Sequence, residues 1–363
     1  MKKIGALKLG LTFAGCFLGA GYVSGQELWQ FFGSFGKNGL FGLLLAIALL
    51  LAVGVMMILL GRMTRAEEID KLVVCWELPL LRGAVTLLEL LFLFGVGTIM
   101  SAGVGALLGQ LIGLPQWIGS GLFVAVVALV SLAGFSGMVS AFSATVPVLA
   151  AVTLAFGIWS LAQSGVSIPE PQSGGSALMG SWPVAAVSFA CYNLFGSIAM
   201  IAPLGEFVKS KKAAVGGISL GVALLLLIAG SVLVSVSASP SVTAAELPML
   251  AFAQAKGRVF GWIYGLLLLL AMFGTGLSSL VAFVGMVGAK LPAVGKNRVE
   301  FTAVCALCMF GGSLFGFGDL IGVVYPIFGY CSSVFIILMA VHYFKLRRAR
   351  TEEKINGNKA RGI

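Results

Sequence analysis

The first apolar segment of this chain carries a glycine-rich interruption that is followed by an acidic residue. Gly15, Gly19, Gly21 and Gly25 lie within eleven residues, and Glu27 comes two positions later. In hydrocarbon an unpaired backbone amide costs several kcal/mol, so a broken helix is tolerated only where it is buried in protein or lines a cavity. The alternative is a seam of small residues that packs two helices together, because the glycine pairs 15/19 and 21/25 both have the Gly-x-x-x-Gly spacing.

The composition places the chain in a lipid bilayer. Of its 363 residues 59% are hydrophobic and only 10% are charged, which is typical of a polytopic helical membrane protein and excludes a water-soluble domain. A net charge of +10 would suggest a nucleic-acid partner in a soluble protein. Here the basic residues flank apolar segments, so they indicate membrane orientation and no nucleic-acid partner is expected.

Hydropathy predicts ten membrane spans, because a hydrocarbon core of about 30 Å requires about 20 apolar residues per helix. The predicted spans are 6–33, 38–60, 83–111, 116–134, 137–161, 182–208, 213–237, 259–288, 299–315 and 320–344. With the N-terminus inside, all 23 lysines and arginines except Lys37, Lys256 and Arg258 fall on the inner side. This asymmetry predicts a multi-pass plasma-membrane protein with both termini in the cytoplasm.

Ten spans divide into two halves of five, and halves with an odd number of spans insert with opposite orientation. The predicted organisation is a first repeat at 1–163, an extracellular linker at 164–181, a second repeat at 182–344 and a disordered basic tail at 345–363. The first span of the second half is also expected to unwind, at Tyr192–Gly196. The predicted fold class is therefore an all-α membrane protein with an inverted repeat and with helices 1 and 6 interrupted.

Two interrupted helices that cross near the midplane would point four half-helix ends at one cavity. Their amides suit a carboxylate and their carbonyls suit a cation, so an amino acid with a coupling ion is a matching substrate class. Aromatic core packing is the alternative for Phe195, whereas the Asn193 amide needs partners at that depth. The predicted substrate site comprises Gly19, Ala20, Gly21, Tyr22, Ser24, Glu27, Tyr192, Asn193 and Phe195.

The segment from Gly19 to Glu27 (GAGYVSGQE), with Phe31-Phe32 after it, resembles the signature of the YkvI-type membrane proteins of the APC superfamily. The ten-span layout extends this resemblance over nearly the whole chain. It implies a LeuT-like fold and amino-acid permease activity, and it leaves the substrate open.

The resemblance to LeuT-type symporters also implies a sodium site. Residues 14–21 are similar to the first-helix segment of those proteins, which assigns the carbonyls of Gly15 and Leu18 to the ion. Residues 275–279 are similar to the segment that completes the site, which assigns the Thr275 carbonyl and the hydroxyls of Ser278 and Ser279. The alternative is that the serines hydrogen-bond to their own helix.

Two acidic residues in apolar spans are candidates for proton coupling. Glu27 follows the break, where it either stabilises a helix N-terminus or has a role in transport. In the second case it carries a proton or contacts a substrate amine. Glu89 lies in the third predicted span, about two turns from Arg82. Proton coupling through these two acids is the alternative to sodium.

The sequence favours a secondary active transporter over other classes of membrane protein. Cys305 and Cys308 have the spacing of metal ligands, but no second pair or histidine lies near them. No enzymatic activity and no cofactor other than the coupling ion are expected, and the oligomeric state is left open. A nutrient receptor that binds without transporting is the other class considered.

Overall fold

The computed structural model describes residues 3–64, 69–132, 145–165 and 175–360. These residues are helical apart from turns, connections and one isolated bridge between Ile4 and Val208. The first half contains α1 (Ala6–Phe17), α2 (Ala20–Ser24), α3 (Gln26–Phe31), α4 (Lys37–Thr64), α5 (Ile69–Val73), α6 (Pro79–Ile112), α7 (Gln116–Leu132) and α8 (Thr145–Ser164). The second half contains α9 (Trp182–Ile201), α10 (Lys211–Ser237), α11 (Pro248–Lys256), α12 (Arg258–Lys290), α13 (Pro292–Lys296), α14 (Arg298–Ser313) and α15 (Phe317–Ala360). The all-helical prediction is confirmed for the described part of the chain.

Seven of the described helices are long and apolar enough to cross a membrane. They are α4, α6, α8, α9, α10, α12 and α15. The other predicted spans correspond to the shorter helices α7 and α14 and to the interrupted series α1 to α3. The beginning of the predicted fifth span and half of the predicted linker lie outside the described residues, and the count of ten, the repeat and the domain boundaries stay predictions.

The first span is interrupted twice, as the glycines predict. Helix α1 ends at Phe17, and Gly19 has the extended backbone angles φ −73° and ψ 173° before α2 begins. A second interruption lies at Gly25, whose φ of +86° is a left-handed conformation that favours glycine. The chain then re-enters a helix at Gln26, which places Glu27 in the first turn of α3.

The predicted unwinding of the sixth span at Tyr192–Gly196 is wrong. Helix α9 is continuous from Trp182 to Ile201. Gly196 is a single glycine, and the Asn193 amide donates a hydrogen bond to the Phe189 carbonyl at 3.1 Å within the helix. The helix gives way only near Pro203, which begins a 3₁₀ turn that ends at Glu206, because proline removes a backbone donor.

The tail also differs from the sequence prediction. The predicted disorder begins at Lys345, but helix α15 continues from the last span to Ala360. Arg348 and Glu352 form an ion pair at 3.0 Å with the four-residue spacing that stabilises a helix. Residues 361–363 lie outside the described part of the chain.

Helix α1 packs closely on α10 through small residues. A Cβ atom added at Gly10 would lie 2.7 Å from the Gly217 carbonyl oxygen, and one added at Gly221 would lie 2.7 Å from the Gly10 carbonyl oxygen. Both neighbours are backbone atoms, so they cannot move aside as a flexible side chain can. The seam of small residues in this structure therefore joins α1, the N-terminal part of the first span, to α10.

We expect Gly221→Ala to lower the unfolding temperature of the detergent-solubilised protein, because the added methyl group forces α1 and α10 apart. Overpacking of this kind costs about 1–3 kcal/mol. Gly230→Ala on the same helix is the control, since a Cβ there meets no atom within 4 Å. Equal melting temperatures for the two variants would contradict the packing described here.

Candidate functional site

A cavity of about 300 Å³ lies beside the break in the first span. Its walls come from the region of the break and from helices α6, α9, α12 and α15. Most of the lining is apolar. The polar side chains that line it are those of Glu27, Glu89, Tyr192, Asn193, Thr275, Ser278, Ser279 and Tyr325.

Glu27 is the most constrained polar group in this cavity. Its side chain is only 4% exposed, and its Oε1 atom accepts hydrogen bonds from the Tyr192 hydroxyl and, at 3.4 Å, from the Asn193 amide. Its Oε2 atom faces Gly21, where an added Cβ would lie 2.6 Å away. The glycine at position 21 therefore makes room for the carboxylate, and α9 supplies the donors that a buried carboxylate requires.

An aromatic layer covers one side of Glu27. The Tyr192 ring stacks on Tyr325 with 4.6 Å between centroids, and it also contacts Phe31 at 5.7 Å. Phe189 packs against Phe32 and Phe31 at 4.9 and 5.6 Å. These rings join α3 and the connection after it to α9 and α15, and Tyr192 and Tyr325 belong to the wall of the cavity.

The cavity extends from Glu27 to Glu89. Glu89, Met200 and Met286 line it, and each lies in the half of its helix that the sequence predicts to be cytoplasmic. Cys16 near the end of α1 lines the same region. On the predicted topology, the cavity therefore opens from the broken helix toward the cytoplasm.

The structure brings together six of the nine residues predicted to bind substrate. They are Gly19, Gly21, Glu27, Tyr192, Asn193 and Phe195. Tyr22 and Ser24 are buried away from the cavity, where their hydroxyls donate to the carbonyls of Leu225 at 2.7 Å and Gly21 at 3.0 Å. The side chain of Ala20 lies outside the described part of the chain. The roles of these residues stay predictions.

The five predicted sodium ligands are divided between two cavities. Thr275, Ser278 and Ser279 line the cavity that contains Glu27. Gly15 and Leu18 line a neighbouring cavity of about 660 Å³ between α1 and α8. The Ser278 hydroxyl donates to the Thr275 carbonyl at 3.0 Å. This hydrogen bond is the one expected if Ser278 bonds to its own helix and does not bind an ion.

The sequence analysis missed Tyr325, the residue that stacks on Tyr192. The signal for it was present, since it precedes Pro326 within an apolar span and proline marks positions where a membrane helix is locally adjusted. Glu89, in contrast, was predicted as a coupling residue and does line the same cavity as Glu27. Among the described residues, no three histidine, cysteine, aspartate or glutamate side chains lie together in a way that could hold a metal ion.

Comparison with known proteins identifies relatives of the same length and two structures of similar fold. No family model matches the chain. It is 26% identical over 337 residues to the uncharacterized membrane protein YkvI of Bacillus subtilis (strain 168), covering 92% of this chain and 95% of the relative. It is also 26% identical over 341 residues to the uncharacterized protein YyaD of the same organism, covering 93% of this chain and 96% of the relative.

Among solved structures, the inward-facing conformation of Mhp1 matches 96% of this chain and 78% of that chain, with a TM-score of 0.64 and 16% identity. MhsT in complex with L-phenylalanine matches 93% of this chain and 89% of that chain, with a TM-score of 0.61 and 17% identity. The chain has the LeuT-type fold. At these identities the likeness establishes the fold, and the relatives support the resemblance to YkvI-type membrane proteins.

We expect Cys16 to react with a membrane-impermeant maleimide from the cytoplasmic side, because it lines a cavity that opens toward that side on the predicted topology. The measurement compares inside-out vesicles with right-side-out cells, using a variant in which the other five cysteines are replaced by serine. A variant that retains only Cys305, which is buried and does not line the cavity, is the control. Faster labelling from the outside would show that the cavity opens in the other direction.

Proposed function

We propose that this protein is a secondary active transporter that moves an amino acid or a related small amine by alternating access. The observation that carries the proposal is the solute-sized cavity at the broken helix of a LeuT-type fold, with Glu27 buried in its wall. Broken helices in secondary transporters are where substrate and ion sites lie. A volume of about 300 Å³ is at the lower end of the range for small-molecule pockets, which suits a solute of amino-acid size.

The lining of the cavity supports a substrate with a positively charged amine. Glu27 and Glu89 both line it, and none of the described residues in the lining is basic. Phe17, Phe92 and Phe195 provide an apolar wall for the remainder of the solute. MhsT, which shares the fold, is described in complex with L-phenylalanine, and this supports an amino acid as the substrate class.

We propose sodium as the coupling ion. Oxygen atoms of Thr275, Ser278 and Ser279 lie in the wall of the same cavity, and neutral oxygens suit a hard monovalent cation. Gly15 and Leu18 line the adjoining cavity, and Cys16 and Met200 line both. The proposal requires that α1 and α12 move relative to each other during alternating access, so that the five oxygens surround one ion.

Proton coupling is the second candidate, and a specific observation favours it. Glu27 and Glu89 line one continuous cavity between the broken helix and the predicted cytoplasmic side. Two carboxylates along one path are a typical arrangement for a proton relay in a transporter. The two candidates differ in which ion gradient drives accumulation of the solute.

The experiment that tests the proposed function has two stages. A thermal-shift screen of amino acids, amines and nucleobases in sodium, potassium or choline chloride identifies a stabilising solute, because a ligand stabilises the folded protein by RT ln(1 + [L]/Kd). Uptake of that solute into proteoliposomes is then measured under an inward sodium gradient, an inward proton gradient or no gradient. Accumulation above the external concentration supports a transporter, whereas binding without accumulation indicates a receptor.

We expect the double variant Ser278→Ala/Ser279→Ala to lose most of its sodium-dependent uptake, because two of the five proposed ligand oxygens are removed. Ser197→Ala is the control, since its hydroxyl is buried and donates to the Leu194 carbonyl at 2.8 Å within α9. Uptake is measured as a function of sodium concentration at saturating solute. An unchanged sodium dependence in the double variant would exclude this site.

We expect Glu27→Gln to weaken binding of an amine-bearing solute by roughly 10- to 100-fold, because a hydrogen bond to a charged group contributes about 1.5–3 kcal/mol. The glutamine keeps an oxygen that can accept from Tyr192 and Asn193, so the fold should survive. Glu300→Gln, in the first turn of α14, is the control because Glu300 does not line the cavity. If Glu27→Gln instead leaves amine affinity unchanged and abolishes proton-driven uptake, Glu27 acts in proton coupling and the sodium assignment fails.

A further inference from the structure

A separate cavity of about 350 Å³ lies at the predicted cytoplasmic surface, remote from the one that contains Glu27. It is formed where the end of α4, the beginning of α10 and the extended α15 meet. Arg62, Lys211 and Arg347 line it, one from each of these three helices. Tyr343 and Thr351 add hydroxyl groups to the wall.

The positive charges of the three basic side chains in this pocket have no acidic counterpart among its described lining residues. Lys211 is the first residue of a helix of 27 residues that has no acidic residue in its first turn, so the lysine lies at the positive end of the helix dipole. Three cations and a helix N-terminus at one cavity create a positive potential that attracts an anion.

The basic side chains of the pocket, and not its Thr351 hydroxyl, supply the hydrogen-bond donors for a ligand. Arg62 Nη1 donates to the Val208 carbonyl at 3.3 Å, which holds the guanidinium at the rim, and a guanidinium carries five N–H donors in all. The Thr351 hydroxyl donates to the Arg347 carbonyl at 2.9 Å. Guanidinium groups bind phosphate oxygens in a bidentate manner, and lysine adds a point charge.

The remaining walls indicate where the pocket lies relative to the membrane. Leu59 and Met63 lie at the end of the apolar helix α4, next to the basic residues. Tyr343 also lines the pocket, and tyrosine is enriched where a membrane meets water. Basic pockets between helices on the cytoplasmic side are suited to the head groups of anionic lipids.

We propose that this pocket binds a phosphate group and that its occupant joins the tail portion of α15 to α4 and α10. The phosphate belongs either to the head group of an anionic phospholipid or to a free phosphate ion. The proposal does not depend on the identity of the transported solute. It also gives a role to the basic tail beyond membrane orientation.

The test uses the purified full-length protein in a neutral detergent. Its unfolding temperature is measured against increasing concentrations of inorganic phosphate, of dioctanoyl phosphatidylglycerol and of dioctanoyl phosphatidylcholine, at constant ionic strength. The site variant is Lys211→Gln/Arg347→Gln, which retains the hydrogen bond of Arg62. The control variant is Lys296→Gln/Arg298→Gln, which removes the same charge from another loop on the predicted cytoplasmic side.

We expect phosphatidylglycerol, but not phosphatidylcholine, to stabilise the wild type and the control variant. The apparent Kd should rise by roughly 25-fold in the site variant, because two basic contacts are lost. Stabilisation by phosphatidylglycerol alone identifies a lipid head group, and equal stabilisation by inorganic phosphate identifies a free ion. No stabilisation by either anion, or an equal loss in both variants, would overturn the proposal.

Arg62→Lys separates binding from folding. Lysine keeps the charge but removes the planar guanidinium, so the apparent Kd for the anion should rise while the unfolding temperature without anion stays near that of the wild type. Equal affinity of this variant and the wild type would show that Arg62 does not contact the phosphate and would overturn its place in the site.

Discussion

The hydrogen bonds that Glu27 accepts from Tyr192 and Asn193 join the interrupted first span to α9. A carboxylate at this depth is costly without donors, so the position of α3 depends on these two side chains. The break at Gly19 and the left-handed Gly25 are what turn the chain so that Glu27 faces α9. The cavity, its aromatic cover and the space above Gly21 all follow from that placement.

The features that sequence could predict are those set by local composition. Four glycines in one apolar span weaken a helix whatever surrounds it, so the interruption of the first span was predictable. The continuity of helix α9 was not predictable, because an asparagine such as Asn193 can either interrupt a helix or form a hydrogen bond within it. The structure shows that it donates to Phe189 and to Glu27 together, an outcome that depends on a partner 166 residues away in sequence.

The candidate site was predictable in part for a similar reason. The break brings Gly19, Gly21 and Glu27 to one cavity, whereas Tyr22 and Ser24 between them face away from it. The division of the predicted sodium ligands between two cavities depends instead on how α1 is oriented toward α8 and α12. Gly15 and Leu18 belong to the wall of one cavity and Ser279 to the wall of another, and no local pattern in the sequence specifies that orientation.

The cavity that contains Glu27 and the basic pocket at Arg62 are connected by helices that pack against each other. Helix α4 contacts α9, which carries Tyr192, and α10 contacts α1, which precedes the break. In the basic pocket, Arg62 comes from α4 and Lys211 comes from α10. A ligand shifts an equilibrium only by its differential affinity for the two states. An anion that holds these helices together therefore favours whichever arrangement of the broken span keeps Arg62, Lys211 and Arg347 around one cavity, and it disfavours any arrangement that separates them.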